Sequence, residues 1–392
     1  MSVPLNNVRI IEMGGLGPAP YGVMLLADLG ANVIRVDKLP GSGHDELANL
    51  MSGVWRGRTS IAADVKSVEG VKIVRQLAAD ADVFIDPFRP GVMERLGLGP
   101  EILTELNPHL IYARMTGYGQ SGPMAPRAGH DINFVALTGV LHTLGRANTP
   151  PPPPVGYIGD FGGGGTFLAI GILAALIERG VSGKGQVLDV AVIDGVASLS
   201  AYNHGLLEHG EWSLERESNL SDGGCPFYEC YETADGKYVA VGALEPQFFA
   251  NVLLVLGMDA KSWPQYEREL WPQMRGEFER IFAEQTRDEW TAAFTGIDCC
   301  VTPVLRLDEA RHDPHNAERG VFVGQGNSWR PRAVPRFSRT DPQVGVDVTM
   351  PGANSEAVLR DLGYDEAAVE KLREKGVINS FPKYGTLDTV FS

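Results

Sequence analysis

Short apolar strands alternate with helices along the first 190 residues, and this order constrains the fold more than any other feature. Val8-Arg9-Ile10-Ile11 indicates a buried strand, residues 20–29 a helix, and Val33-Ile34-Arg35-Val36 a second strand. Further strands are predicted at residues 82–85, 110–115 and 187–192. Helices that join such strands favour a mostly parallel, doubly wound sheet. The sequence therefore predicts a large α/β domain over residues 1–190.

The pattern changes near Asn219, where the signals of a smaller α+β domain begin. Residues 228–232 and 237–241 flank Ala234-Asp235-Gly236, which is typical of an antiparallel hairpin. Helices are predicted at residues 246–256, 272–283 and 287–294, the last opened by a capping box of Thr286 and Glu289. We expect a linker over 191–221 and the small domain over 222–316. Residues 317–392 are expected to return to the large domain as a linker and helices (355–362 and 365–375).

The proline run at residues 150–154 has two interpretations. An extended polyproline stretch often acts as a linker between domains. A rigid loop inside one domain is the alternative. The α/β pattern resumes directly after the run, and this favours the loop.

Composition restricts the partners. The net charge of −15 argues against nucleic acid and against anionic membrane surfaces as main partners. The longest apolar run, residues 167–177, is shorter than the roughly 20 residues of a membrane span. Four cysteines at irregular spacings predict neither a disulfide framework nor a zinc site, and no secretory signal opens the chain. We expect a cytoplasmic protein without a metal.

Two segments carry the residue types of proton-transfer chemistry. Gly129-His130-Asp131-Ile132-Asn133-Phe134 sets an imidazole beside a carboxylate, and Asp160 precedes a glycine-rich turn and an apolar helix from Thr166. A helix start offers free N–H groups and favours developing negative charge. A histidine and a carboxylate facing one carbon suit proton removal and return next to a carbonyl. An aspartate, with an ordinary pKa of about 3.9, would need burial to act as a donor.

Each of these side chains also has a simpler structural interpretation. His130 alone is typical of a hydrogen-bonded structural histidine. Asp160 alone is typical of a helix N-cap, because aspartate is a preferred residue there. Asp131 and Glu245, which precedes Pro246, have the same alternatives of capping or solvated charge.

The first strand and helix resemble a dinucleotide-binding unit only in part. Gly15-Leu16-Gly17-Pro18-Ala19-Pro20 departs from the glycine motif because its prolines lack N–H groups, although Asp37 lies about 20 residues further on. This argues against a nicotinamide cofactor and leaves another phosphate-bearing ligand open. Basic residues cluster around the first strand ends, where α/β sheets bind ligands, although each alone is typical of solvated surface charge. They are Lys38, Arg56, Arg58, Lys66, Arg89 and Arg95.

Long motifs throughout the chain resemble the family III CoA-transferases and, among them, the α-methylacyl-CoA racemases. Gly129-His130-Asp131-Ile132-Asn133 is the specific motif, because the transferases generally lack its histidine. The other motifs include residues 8–20, 26–37, Phe88-Arg89-Pro90-Gly91, Arg114-Met115-Thr116-Gly117-Tyr118-Gly119-Gln120, Ser182-Gly183-Lys184-Gly185-Gln186 and 234–242.

The resemblance implies an interlocked homodimer whose active site lies between one chain's large domain and the other's small domain. His130 and Asp160 match the two proton-transfer residues, and Glu245 matches a glutamate that orients the histidine across the dimer. The motifs imply an acyl-CoA site at Lys38, Arg56, Ala63, Asp64, Val65, Lys66, Arg89, Arg95, Gly117, Tyr118, Gly129, Asp131, Ile132, Asn133 and Phe134. Lys38 stands where the racemases usually have arginine, so bidentate phosphate geometry is lost there.

The resemblance implies interconversion of (R)- and (S)-2-methylacyl-CoA thioesters through an enolate. Backbone N–H groups around Gly159 and Asp160 are expected to hold the thioester oxygen. Coenzyme A is part of the substrate, and no separate cofactor is expected. Two alternatives stay open: a family III CoA-transferase with Asp160 as nucleophile, and a non-catalytic acyl-CoA binding protein.

Overall fold

The structure is a computed structural model that describes residues 3–39, 52–326, 328–342 and 348–379. The chain divides into two compact units. The first unit comprises Met1–Thr138, Pro154–Ser200 and Ala333–Ser392, and the second comprises Gly139–Pro153 and Ala201–Arg332. Each unit is discontinuous in sequence.

These bounds correct the predicted domain limits in three places. Gly139–Pro153 belongs to the second unit and interrupts the predicted 1–190 domain. The predicted linker at 191–221 is divided between the units after Ser200, and the second unit extends to Arg332 rather than to residue 316. The proline run at residues 150–154 crosses from the second unit into the first at Pro154, which favours the linker interpretation over the rigid loop.

A mostly parallel sheet forms the centre of the first unit, as predicted. Its strands are β1 (Arg9–Met13), β2 (Asn32–Asp37), β3 (Arg58–Ala63), β4 (Val83–Asp86), β5 (Ile111–Thr116) and β6 (Gln186–Ala191). The described order is β3-β2-β1-β4-β5-β6, all parallel, and the short strand Ile378–Asn379 adds antiparallel to β3. The chain adds β2 and β3 on one side of β1, and then β4, β5 and β6 on the other side. The strand order therefore reverses between β1 and β4, which is where such sheets bind ligands.

Strand β3 was not predicted, because the first half of its sequence is polar. Arg58 and Ser60 are nevertheless buried in the sheet. Arg58 Nε donates to Glu12 Oε2 at 2.5 Å, and Ser60 Oγ donates to Asp37 Oδ2 at 2.6 Å. Long-range partners thus allow a polar segment to occupy an interior strand.

Helices surround the sheet and form much of the second unit. In chain order they are α1 (Pro18–Asp28), α2 (Val68–Ala79), α3 (Val92–Arg95), α4 (Pro100–Leu106), α5 (Asp131–Leu137), α6 (Thr166–Ser182), α7 (Val192–Leu199), α8 (Ala201–Glu208), α9 (Pro246–Val255), α10 (Trp271–Phe282), α11 (Arg287–Phe294), α12 (Leu307–Ala310), α13 (Pro314–Arg319), α14 (Ser355–Asp361) and α15 (Glu366–Glu374). Val358 and Leu359 of α14 are buried in one cluster with Ile11 and Phe84 of the sheet. The C-terminal helices therefore complete the core of the first unit.

The second unit contains the predicted hairpin and helices. Strands β7 (Tyr228–Glu232) and β8 (Tyr238–Gly242) pair antiparallel, and β9 (Val301–Val304) adds beside β8. The strands β10 (Phe322–Gln325) and β11 (Ser328–Pro331) pair antiparallel and were not predicted. The capping box is confirmed: Thr286 N–H donates to Glu289 Oε2, and Glu289 N–H donates to Thr286 Oγ1.

Helix α6 is the continuation of a wider helical segment, Tyr157–Gly165. The combined helix Tyr157–Ser182 has 26 residues and a mean hydropathy of 1.6 in its most apolar stretch. By length and composition alone it could cross a membrane, although a core helix meets the same two criteria. Leu168, Ala169 and Ile172 are buried inside the first unit, so packing accounts for part of this apolar character.

Candidate active site

A cavity of about 600 Å³ opens at the carboxyl ends of β1 and β4 in the first unit. The loop that follows β1 lines it with residues 14–19, and the loop that follows β4 lines it with residues 87–90. Residues 115–118, at the end of β5 and just beyond it, residues 127–130 and Asp160 form further parts of its wall. The cavity therefore lies where the strand order reverses, the position expected for a ligand.

His130 enters this cavity at the start of α5. The helix begins at Asp131, and His130 is its N-cap residue with extended backbone. Asn133 Oδ1 accepts the His130 N–H at 3.1 Å and fixes this turn. The residue His130 is exposed and lines the cavity. The local structure thus holds the backbone of His130 and leaves the residue accessible to a ligand.

Asp160 lies half-buried in the wide helical segment and lines the same cavity. Burial is the main cause that raises the pKa of its carboxyl to about 6. The neighbouring charge of Asp131 raises this pKa further, and His130 opposes the shift. This is the direction of shift that an aspartate needs to act as a proton donor, because a usable fraction then stays protonated at neutral pH.

The glycine run after Asp160 forms helix instead of the predicted turn. The Phe161 N–H donates to Gly156 O at 3.0 Å, a spacing of five residues, and helical turns run from Tyr157 into α6. A Cβ on Gly163 would lie 2.5 Å from Val196, and one on Gly164 would lie 2.5 Å from Pro18. The glycines therefore permit close packing of this segment against its neighbours.

This geometry corrects one expectation about the thioester oxygen. Asp160 was expected to offer a free N–H ahead of a helix start at Thr166. Instead the Asp160 N–H donates to Asp131 Oδ1 at 2.9 Å, and the helical turns begin before Asp160, at Tyr157. That N–H is consequently engaged, whereas the positive end of the longer helix favours negative charge here.

Gly17 makes room for the Asp160 carboxylate. A Cβ on Gly17 would lie 3.0 Å from Asp160 Oδ2, and the Gly17 φ of +70° is a conformation that favours glycine. The loop before α1 therefore approaches the acid more closely than another residue would allow.

Three basic residues line the cavity and are exposed: Lys38, Arg89 and Arg127. The described residues contain no ion pair to any of them, whereas most buried arginines are paired. Arg127 was missed by the sequence analysis, although it lies three residues before His130 in the same loop. These three cations can therefore bind the anionic end of a ligand, because no carboxylate among the described residues forms an ion pair with them.

Other predicted contacts lie outside the cavity. Arg56 is buried and donates to both oxygens of Asp28 at 2.9 and 2.5 Å, and Arg58 is buried against Glu12. These two arginines are structural, which corrects their assignment to phosphate. The remaining residues that do not line the cavity are Ala63, Asp64, Val65, Lys66, Arg95, Asp131, Ile132 and Asn133.

The end of β3 is covered by the C-terminal strand. Ala63 pairs with Ile378, and the Asp64 N–H donates to Val377 O at 2.8 Å. This pairing joins residues more than 300 positions apart in the sequence. It therefore could not be deduced from the local pattern around Ala63.

The predicted aromatic and glycine positions do line the cavity. Tyr118 and Phe134 meet edge to face with ring centroids 4.9 Å apart. A Cβ on Gly117 would lie 2.1 Å from Phe134, and one on Gly129 would lie 2.6 Å from the Tyr118 hydroxyl. Both glycines thus allow an aromatic wall beside His130.

Glu245 belongs to the second unit. It is the N-cap residue of α9 and is exposed, and its side chain makes no capping hydrogen bond. No group of three or more histidine, cysteine or acidic residues suited to a metal ion occurs in the described part of the chain.

Comparison with known proteins identifies the class. The sequence model of CoA-transferase family III matches residues 5–354. The crystal structure of a CAIB/BAIF family protein from Brucella suis matches 92% of this chain and 100% of its own, with a TM-score of 0.81 and 26% identity. The chain therefore belongs to CoA-transferase family III.

Two curated relatives are more specific. The mouse protein named alpha-methylacyl-CoA racemase is 44% identical over 380 residues, which cover 96% of this chain and 98% of the relative. The human protein of the same name is 42% identical over 387 residues, with the same coverage. This chain is thus similar to racemases over nearly their whole length.

Proposed function

We propose that this protein is an α-methylacyl-CoA racemase that interconverts the (R) and (S) forms of 2-methylacyl-CoA thioesters. One observation carries the proposal: His130 and a half-buried Asp160 with a pKa raised to about 6 line the same cavity. A histidine and a carboxylic acid in one cavity are the pair of proton carriers that a two-base racemisation requires. The naming of the mouse and human relatives supports the same reaction.

The proposed mechanism moves one proton in each half-reaction. His130 or the Asp160 carboxylate removes the α-proton, and the C–H electron pair becomes the enolate with negative charge on the thioester oxygen. The positive end of the helix that begins at Tyr157 favours this charge. The other group then gives a proton to the opposite face of the α-carbon. The C–S bond stays intact, and protons move only between the substrate and these two groups.

The proposed enzyme binds coenzyme A phosphates through the unpaired cations of the cavity. Lys38→Ala or Arg89→Ala is expected to raise KM for acyl-CoA about tenfold while largely sparing kcat, because phosphate contacts act alike in ground and transition states. Steady-state kinetics measures both constants. Arg95→Ala is the matched control, since Arg95 is exposed but lies outside the cavity. Unchanged KM in both cavity variants would place the phosphates elsewhere.

We also propose a homodimer in which Glu245 of one chain orients His130 of the other. Supporting this, Glu245 is exposed and unbonded in its capping position. The first unit also exposes apolar side chains on α6, with Ile170, Ile177 and Val181 at 53%, 75% and 89% exposure. A second copy would cover such a face.

Solvent exchange tests the proposed reaction directly. The enzyme is incubated with a 2-methylacyl-CoA of one configuration in deuterated water, without an acceptor acid. The expected result is incorporation of deuterium at the α-carbon and formation of the other epimer, measured by mass spectrometry and chiral separation. His130→Ala is expected to slow epimer formation about 10²-fold or more. Transfer of coenzyme A between carboxylates without α-exchange would instead identify a CoA-transferase.

A further inference from the structure

Asp131 connects the two candidate proton carriers. It is the first residue of α5, directly after His130, and its Oδ1 accepts the Asp160 N–H at 2.9 Å. The side chain is half-buried and does not line the cavity. Asp131 therefore follows His130 directly in the chain and accepts a hydrogen bond from the backbone of Asp160.

The surrounding chain is shaped for this bond. A Cβ on Gly159 would lie 2.2 Å from Asp131 Oδ1 and 3.0 Å from Val135. Any other residue at position 159 would therefore push the carboxylate away from the Asp160 peptide. The hydrogen bond from the Asp160 N–H to Asp131 therefore requires glycine at position 159.

Asp131 is also the negative charge that acts on Asp160. From α5, Asp131 and His130 are the charged groups that influence the Asp160 carboxyl. Two other elements pack near Asp160. The loop before α1 places the uncharged Gly17 beside its carboxylate, and α1 packs the Tyr21 ring on Phe161. The carboxylate of Asp28, also in α1, is paired with Arg56. Asp194 of α7 is exposed. A like charge beside a carboxylate opposes its ionisation.

We infer that the Asp131 side chain is a positioning residue for racemisation, which fixes the Asp160 peptide and thereby the placement of Asp160 relative to His130. This inference rests on the proposed function. It assigns to Asp131 a role different from the acyl-CoA contact that the sequence resemblance implies.

Asp131→Asn separates the charge from the hydrogen bond, because the amide oxygen still accepts the Asp160 N–H. Without the neighbouring charge the pKa of Asp160 falls, and less of its acid form is present at neutral pH. We expect epimer formation to fall about three- to tenfold at pH 7 and the pH profile to move to lower pH by roughly half a unit or more. KM for acyl-CoA is expected to stay unchanged, since Asp131 lies outside the cavity.

Asp131→Ala removes the acceptor as well and is expected to lower epimer formation about 10²-fold, with partial rescue in Asp131→Asn. Asp194→Asn is the matched control, since it removes an exposed aspartate from the first turn of α7 and should leave rate and profile unchanged. Circular dichroism checks that each variant is folded.

The outcomes distinguish the two proposals. Wild-type enzyme without α-hydrogen exchange overturns the proposed function and this inference together. Wild-type exchange with an Asp131→Ala variant that keeps the wild-type rate and pH profile overturns the positioning role alone. A shifted profile with unchanged KM supports it, because a purely structural side chain would not move the pH dependence.

Discussion

Asp160→Asn is expected to lower the rate of epimer interconversion by about 10²- to 10⁴-fold, the range for loss of a general acid–base group. Exchange of the α-hydrogen with solvent should persist from one epimer only, because His130 can still remove and return a proton on its own face. Deuterium incorporation and conversion to the other epimer are both measured, in separate reactions that start from each epimer.

His130→Gln is the matched variant for this experiment. It is expected to leave exchange only from the opposite epimer, through Asp160. Equal loss of exchange from both epimers in both variants would contradict a mechanism with one carrier on each face.

The pKa of Asp160 predicts the sign of the pH dependence. In the direction where Asp160 is the base, kcat/KM should fall as the pH drops below about 6, because the carboxylate becomes protonated. Where Asp160 is the acid, the same group should become limiting as the pH rises above that value. Profiles measured from each epimer test this assignment.

Glu12→Ala is expected to destabilise the first unit by about 3–5 kcal/mol, because it leaves the Arg58 guanidinium buried without its counter-ion. Both side chains are fully buried, and Arg58 Nε lies 2.5 Å from Glu12 Oε2. Urea unfolding followed by fluorescence measures the free energy of unfolding. The double variant Glu12→Met/Arg58→Leu removes both charges, and its free energy of unfolding should fall much less. Equal losses in the single and double variants would show that the charge itself is not responsible.

The sequence by itself predicted the features that depend on neighbouring residues. The first two strands and α1 follow from apolar periodicity and turn residues, and the hairpin of β7 and β8 follows from Ala234-Asp235-Gly236. The capping box at Thr286 is equally local. The motif around His130 was specific enough to indicate both a family and a reaction. Short-range hydrogen bonds and periodicity determine the strands, the hairpin and the capping box, whereas the family and the reaction were indicated by resemblance to known motifs.

The tertiary structure decided which charges are available. Lys38 and Arg56 look alike in sequence, but the chain folds Arg56 against Asp28, 28 positions away, and leaves Lys38 exposed at the cavity. Glu12 and Asp37 on other strands stabilise the polar strand β3, because they accept hydrogen bonds from Arg58 and Ser60.

The structure likewise decided the state of Asp160. Its raised pKa and its bonded N–H depend on burial and on Asp131, 29 positions away in the chain. Desolvation and Coulomb interactions depend on distances in space, and residue order specifies such distances only between near neighbours. The sequence therefore indicated the candidate proton carriers, and the fold determined the environment of the Asp160 carboxyl.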